Sequence, residues 1–193
     1  KNISKVGIIG YPLSHSLSPL IHNYWLNLFN INGSYIPIEV EKDKIDIILR
    51  KIKDDNFKGF NITIPLKEKI IPYLDELDTN AKQIGAVNAV VVTKSGKLIG
   101  RNTDGYGFLE NIKTNFPNFK ISSGPILILG AGGSARSICF ALKSLECKDI
   151  RILSRRKPQA QKLSEELGII ASAYDFSDQK KAMLDINMFV NTT

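Results

Sequence analysis

The stretch "ILILGAGGSARS" (126–137) sets Gly130, Gly132 and Ala135 in a G-x-G-x-x-A pattern directly behind a short apolar run. The first glycine of such a pattern permits a tight strand-to-helix turn, and the second lets backbone approach a pyrophosphate. The small third residue lets helix pack closely on strand. Gly130, Ala131, Gly132, Gly133, Ser134 and Ala135 would then aim helix-terminal N–H groups at phosphates. In this strand–turn–helix setting the pattern points to a dinucleotide, against the plainer reading of a tight βα turn. About 20 residues on, an NAD site carries a carboxylate for the ribose hydroxyls. This chain has Ser154-Arg155-Arg156 there. A guanidinium binds a 2′-phosphate that a carboxylate would repel, so NADP is expected over NAD. The competing reading makes Arg155 and Arg156 surface charges at a helix start.

The first half offers a different chemistry. In "GFNITIPLKEK" (59–69), Phe60, Ile62 and Ile64 alternate with Asn61 and Thr63, which is strand periodicity. Pro65 suits the first turn of a helix. Lys67 would then sit in that opening turn, where the helix dipole disfavours a cation by a few tenths of a kcal/mol. Other polar clusters fall at expected strand ends: Ser14, His15 and Ser16; Asn88; and Arg101 to Gly105, which includes Asp104. Open α/β sheets bind ligands at that edge. Hydroxyls, amides, one ammonium and one carboxylate suit a small polyhydroxylated anion. Taken singly, Ser14 and Ser16 could satisfy loop backbone, Asn88 could be a strand-edge amide and Asp104 a helix cap.

These residues need an α/β frame to hold them. "KVGIIG" (5–10), "SYIPIEV" (34–40) and "GFNITI" read as strands, separated by helices in "SPLIHNYWLNLF" (18–29) and "DKIDIILRKIK" (43–53). That order implies parallel strands with right-handed crossovers. In the first helix Ser18 is the expected N-cap and Pro19 the first helical residue. The pairs Leu20/Ile21, Tyr24/Trp25 and Leu28/Phe29 predict one buried face. Helices at "PLKEKIIPYL" and near "TNAKQIG" come next, and then "AVNAVVV" and "KLIGRN" flank "TKSG" as an antiparallel hairpin. A helix from about Tyr106 to Asn115 precedes "PNFKISSGP" (117–125), the best linker by composition. Beyond it a second βαβ series runs to "NMFVN". The expected domains are 1–116, a mixed-sheet βαβ substrate domain, and 117–193, the first half of a Rossmann-like cofactor domain.

Composition narrows the class. Of 193 residues 43% are hydrophobic and 23% charged, as in ordinary globular proteins. Apolar runs reach about four residues, far below the ~20 of a membrane span. The opening "KNISKVGIIG" lacks a signal peptide's apolar core, so a cytoplasmic setting is expected. The net charge of +7 is scattered, and its densest cluster, "RILSRRK" (151–157), has no interleaved aromatic, which argues against nucleic acid. Cys139 and Cys147 lack metal-ligand spacing and are expected to be reduced.

Together, "GYPLSHSLSPLIHN" (10–23), "GFNITIPLKEKI" (59–70), "IGAVNAV" (84–90), "GRNTDGYGF" (100–108), "LGAGGSARS" (129–137), Ser154-Arg155-Arg156 and the closing "VNTT" resemble the shikimate dehydrogenases. The resemblance covers essentially the whole chain. It implies NADP-dependent, reversible reduction of 3-dehydroshikimate to shikimate in aromatic amino-acid biosynthesis. By it, Ser14 and Ser16 hold the substrate carboxylate, and Thr63, Asn88 and Asp104 bind ring hydroxyls. Lys67 and Asp104 form the catalytic pair. The loop from Gly130 to Ala135 takes the pyrophosphate of NADP, and Thr192 is a further cofactor-binding residue. Ser154, Arg155 and Arg156 stand where the family usually has Asn-Arg-Thr and take the 2′-phosphate. The family's chain continues past "VNTT" with further strands and with helices that pack back on the substrate domain. The expectation is therefore a truncated member whose open last strand leaves room for a homodimer. The alternatives are a quinate/shikimate dehydrogenase using NAD and a non-catalytic fragment that only binds shikimate.

Overall fold

The consecutive buried residues Ile8 and Ile9, with Phe60 and Ile62 alternating on the next strand, build the centre of a six-stranded sheet. The structure, a computed structural model, describes residues 3–41, 43–55 and 57–193. It contains β1 (Ser4–Gly10), α1 (Ser18–Leu28), β2 (Gly33–Glu39), α2 (Ile45–Asp54) and β3 (Phe57–Ile62). β4 (Glu76–Leu77), α3 (Thr79–Ile84), β5 (Ala89–Val92) and β6 (Leu98–Arg101) follow. The strand order is β2-β1-β3-β5-β6-β4. β1 pairs in parallel with β2 and β3, and β5 runs antiparallel to β3 and β6. The expected hairpin is present, with Gly96 in its turn. α2 buries Ile45, Leu49 and Ile52, one helical face, in the same core as Phe57 and Phe60.

α1 corrects an expectation. None of its residues is buried among those described, and Leu20, Ile21, Tyr24, Trp25, Leu28 and Phe29 are exposed. Periodicity locates a uniform face but does not say which face meets the sheet. Here a polar clamp decides. Asn23 Nδ2 donates to the carbonyls of Pro19 and Tyr35, both at 2.8 Å, while its Oδ1 accepts from Tyr35 N–H at 2.9 Å. The inward face is therefore Pro19, His22, Asn23 and Leu26. Ser18 opens the helix and does not cap it. The nearby hydroxyl that takes an amide is that of Ser16, accepting from Ser18 N–H at 3.3 Å. From Val6 to Ile38 the chain carries no Asp, Glu, Lys or Arg, so the outward face of α1 is both apolar and uncharged.

A second correction concerns the segment after β3. No α-helix forms at 65–74: turns over 64–70 lead into a 3-10 turn at Ile71–Tyr73. One helical bond, Ile70 N–H to Leu66 O at 2.9 Å, does form. The next carbonyl, that of Lys67, is instead taken by Val87 N–H at 2.7 Å. Pro72 has no N–H to extend a ladder. Lys67 therefore bears no helix-dipole penalty.

The remaining elements are α4 (Asp104–Asn115), β7 (Ile126–Leu129), α5 (Gly133–Ser144) and β8 (Ile150–Leu153). They continue with α6 (Lys157–Leu167), β9 (Ala171–Tyr174), α7 (Gln179–Ala182) and β10 (Met188–Asn191). The four strands pair in parallel in the order β10-β7-β8-β9. Ile126, Ile128, Ile150 and Ile152 pack with α5 and α6, while Leu127 and Leu153 pack with Ala182 of α7. Both faces of the sheet are thus covered, which explains strands that are apolar without alternation.

Packing divides the chain into two compact units, Lys1–Asn102 and Thr103–Thr193. α4 groups with the second. At Gly105 an added Cβ would lie 2.7 Å from the Ser137 carbonyl oxygen and 2.9 Å from Ala141 Cβ, so only glycine lets α4 approach α5 this closely. The segment 117–125 lies inside that unit, tied by Asn187 N–H to Pro125 O at 2.7 Å and Asn187 Nδ2 to Ser123 Oγ at 2.9 Å. Among the described residues no helix is long and apolar enough to cross a membrane.

Burial predicts opposite responses at two aliphatic positions. Ile9 is fully buried and Leu20 is 71% exposed. Ile9→Ala should cost about 2–5 kcal/mol in urea unfolding. Leu20→Ser should change stability by less than about 0.5 kcal/mol. Equal losses would contradict the assignment of the exposed face of α1.

Candidate active site

In the first unit, backbone hydrogen bonds gather the polar clusters on the carboxyl-terminal edge of the parallel strands. Tyr11 N–H donates to Ile64 O at 3.0 Å and Thr63 N–H to Ile9 O at 2.9 Å, joining the exits of β1 and β3. A Cβ on Gly10 would overlap the Thr63 methyl, so the exit of β1 fits against Thr63 only without a side chain. Ile62 N–H donates to Asn88 O at 2.8 Å, and Val87 N–H to Lys67 O. Thr63 and Lys67, on one segment, are thus laced by two bonds to the segment that carries Asn88. Leu66 and Ile70, both fully buried, anchor the turn that carries Lys67, which is itself half-buried.

Ser14 and Ser16 lie on the loop leaving β1. Leu13, just before them, is buried, and its N–H donates to Glu39 Oε1 at 2.8 Å. Ser14 is exposed, and Ser16 uses its oxygen as an acceptor for Ser18 N–H. A concavity of about 550 Å³ nearby is lined by Tyr11, Glu41, Asp43 and Pro65. Its two carboxylates make it unsuitable for an anionic ligand, so the polar edge itself is the better candidate.

Asn61 alternates with the apolar residues of β3 and falls in the polar cluster of Thr63 and Lys67, but the sequence assigns it no individual role. The structure makes it a junction. Its Oδ1 accepts from Tyr35 Oη–H at 2.8 Å and its Nδ2 donates to Asn88 O at 3.3 Å. Asn102 is buried, with Nδ2 donating to Ala86 O at 2.9 Å, which steadies the chain leading to Asn88.

The second unit gathers its own set. Gly130 has φ +116°, a conformation side-chain-bearing residues avoid, and an added Cβ would overlap Thr192 Oγ1. Gly130 N–H donates to Leu153 O at 2.9 Å. Thr192 donates through both N–H (2.9 Å) and Oγ1 (2.7 Å) to Leu129 O, so its hydroxyl braces the turn. At Gly132 a Cβ would meet no described atom within 4 Å, which leaves open space before the start of α5. Ala135 is fully buried against the sheet, as close helix–strand packing demands. Ala131, Gly133 and Ser134 complete the loop and the first turn.

Ser154 is buried, and its Oγ accepts from Arg156 N–H at 3.2 Å. Arg155 and Arg156 are exposed, and neither guanidinium has an ion-pair partner among the described residues. Lys157, next in sequence, pairs with Asp175 at 3.0 Å. Hydrogen bonds from Ser177 and Lys157 hold the Asp175 carboxyl down at about 2. Arg136 has no role in the sequence reading. It pairs with Glu166 and lies over the Phe140 ring at 5.9 Å, fastening α5 to α6. Asp104 opens α4 in this unit, while Lys67 belongs to the first.

A mixed sheet with a laced polar edge, joined in sequence to a parallel sheet with a glycine-rich βα turn, defines a class: α/β proteins of the dinucleotide-dependent kind. Residues 8–90 match the family model of the shikimate dehydrogenase substrate binding domain. A shikimate dehydrogenase (NADP(+)) of Paramagnetospirillum magneticum is 38% identical over 187 residues, covering 97% of this chain and 68% of that protein. The shikimate 5-dehydrogenase of Thermus thermophilus, solved with NADP(H) and shikimate, superposes with TM-score 0.84 at 33% identity, over 99% of this chain and 69% of that one. The quinate dehydrogenase of Corynebacterium glutamicum, solved with NAD, superposes with TM-score 0.87 at 26% identity, over 100% of this chain and 71% of that one. The chain belongs to the shikimate dehydrogenase family.

The two turn glycines should separate folding from ligand space. Gly130→Ala should lower the unfolding temperature, at a cost of about 1–3 kcal/mol from strain and overlap. Gly132→Ala should leave thermal unfolding within a degree or two, since nothing there obstructs a methyl group. Scanning calorimetry of both variants checks the contrast.

Proposed function

We propose that this chain carries the substrate- and cofactor-binding machinery of an NADP-dependent shikimate dehydrogenase, interconverting 3-dehydroshikimate and shikimate. The observation that carries the assignment of residues is the lacing of Thr63, Lys67 and Asn88 through the bonds Ile62–Asn88 and Val87–Lys67. In this reading Ser14 and Ser16 hold the substrate carboxylate, and Thr63, Asn88 and Asp104 the ring hydroxyls. Apart from Asp104, these substrate residues belong to the first unit, and the parallel-sheet unit serves the cofactor.

The open space before Gly132 and the start of α5 suit a pyrophosphate, with Gly130 to Ala135 as its cradle and Thr192 bracing the turn behind it. Arg155 and Arg156, with Ser154, take the 2′-phosphate. NADPH, when bound, supplies the hydride. The residues of the chain deal with the charge that results: the Lys67 ammonium stabilises negative charge developing on the ketone oxygen and donates the proton to it. Asp104 orients that ammonium and favours its charged form. In the reverse direction Lys67 accepts the proton of the same hydroxyl. A cytoplasmic setting accords with two buried free thiols. A homodimer would cover the exposed apolar face of α1.

Turnover is tested by the loss of NADPH absorbance on adding 3-dehydroshikimate. Lys67→Ala should lower kcat by about 10²–10⁴ while KM changes only a few-fold; a change confined to KM would remove Lys67 from the chemistry. Arg155→Ala should reduce the preference for NADPH over NADH by about tenfold or more, the worth of one charge-assisted hydrogen bond. Equal rates with NADH, or a preference for quinate, would favour the quinate-dehydrogenase reading. Shikimate binding without turnover would favour the non-catalytic one.

A further inference from the structure

Tyr35 carries a hydroxyl into an otherwise apolar patch. The residue is 3% exposed and packs with Ile8 and Leu13. A buried hydroxyl is costly unless it is bonded, and phenylalanine would fill the same volume without that cost. The position is also heavily determined. Asn23 bonds both the N–H and the carbonyl of Tyr35, and the His22 ring stacks on the phenol at 4.2 Å between centroids. Tyr35 lies on β2 in register with Val6, and Asn61 lies on β3 in register with Ile8. The phenol therefore crosses the intervening strand to reach Asn61.

We propose that Tyr35 is a positioning residue for Asn88, acting through the side-chain amide of Asn61; this rests on the reading of Asn88 as a substrate ligand. The two ends of an asparagine amide are chemically distinct. A phenol O–H donated at 2.8 Å needs the carbonyl end, so Oδ1 faces Tyr35 and the NH2 group is turned toward Asn88. The Asn88 carbonyl then receives two donors, Asn61 Nδ2 at 3.3 Å and Ile62 N–H at 2.8 Å. Two bonds from neighbouring residues fix the peptide plane from which the Asn88 side chain projects. Burial pushes the Tyr35 phenol up to about 12, so it remains an O–H donor throughout the working range of pH. The sheet interior thereby sets the orientation of a polar group at its edge.

The test is a double-mutant cycle in the whole chain, with shikimate as the probe in calorimetry. Tyr35→Phe, which keeps the ring and its stacking, should weaken shikimate binding about five- to tenfold, the worth of one hydrogen bond. NADP+ affinity should stay within twofold. In an Asn88→Ala background the same substitution should have almost no further effect. An equal loss in both backgrounds, a parallel loss of NADP+ affinity, or unchanged shikimate affinity would overturn the proposal. A ligand-free readout separates this from failure of the proposed function. The Asn61 side-chain amide resonances, identified by their loss in Asn61→Ala, should move in Tyr35→Phe. Should the wild type bind no shikimate, the proposed function fails while these resonances still decide the relay: unmoved, they overturn it.

Discussion

The hydrogen bond from Val87 N–H to the Lys67 carbonyl, 2.7 Å long, governs more of the first unit than its size suggests. A backbone carbonyl in a buried segment has to find a donor. At Leu66 that donor is local, and one turn of helix begins. At Lys67 the donor lies twenty residues away, so the helix stops as it starts. The same bond ties Lys67 to the residue beside Asn88, whose own carbonyl is held by Ile62. The distance between a cation and an amide at the sheet edge thus follows from backbone pairing, and the side chains inherit it.

That bond also marks where sequence reasoning reaches its limit. Pro65 followed by Leu66 and Ile70, a proline and an i, i+4 apolar pair, is a local signature of a helix start. Nothing within the segment reveals Val87 as a competitor. The outward face of α1 is a related case: the four-residue period of its large apolar side chains is real, and its inward face is fixed by Asn23, a polar residue whose bonds run to β2. Both misreadings come from long-range polar pairing overriding a local pattern. The strands were legible for the converse reason, since alternation at Phe60 and Ile62, and unbroken apolar runs at 126–128, reflect burial on one face or two.

Local signals read best in the second unit. The βα turn at Gly130 was legible because steric demand there falls on consecutive residues: a left-handed φ, an open approach at Gly132 and a tight helix–strand contact at Ala135. The same stretch hid other functions. Thr192 and Ser154 look like free hydroxyls in sequence, yet each is spent on a nearby backbone group, one on Leu129 and one on Arg156. Arg136, inside the glycine-rich motif, is likewise committed, to Glu166 on the next helix, a partner thirty residues away that the motif does not reveal. The grouping of α4 with α5 rested on Gly105, whose missing side chain is uninformative until Ser137 is placed against it.

Charge placement divides the carboxyl-terminal edge of the first sheet into two parts. Glu39, Glu41 and Asp43 cluster where β2 ends, and Glu39 is occupied in holding the loop of Ser14 and Ser16 through Leu13 N–H. The pocket lined by Glu41 and Asp43 repels an anion, whereas the edge bearing Ser14, Ser16, Thr63, Lys67 and Asn88 presents hydroxyls, amides and an ammonium. With no helix dipole beneath it, Lys67 needs no offsetting carboxylate merely to be tolerated in its turn. Its place in that turn is set instead by backbone pairing with Val87 and by the burial of Leu66 and Ile70.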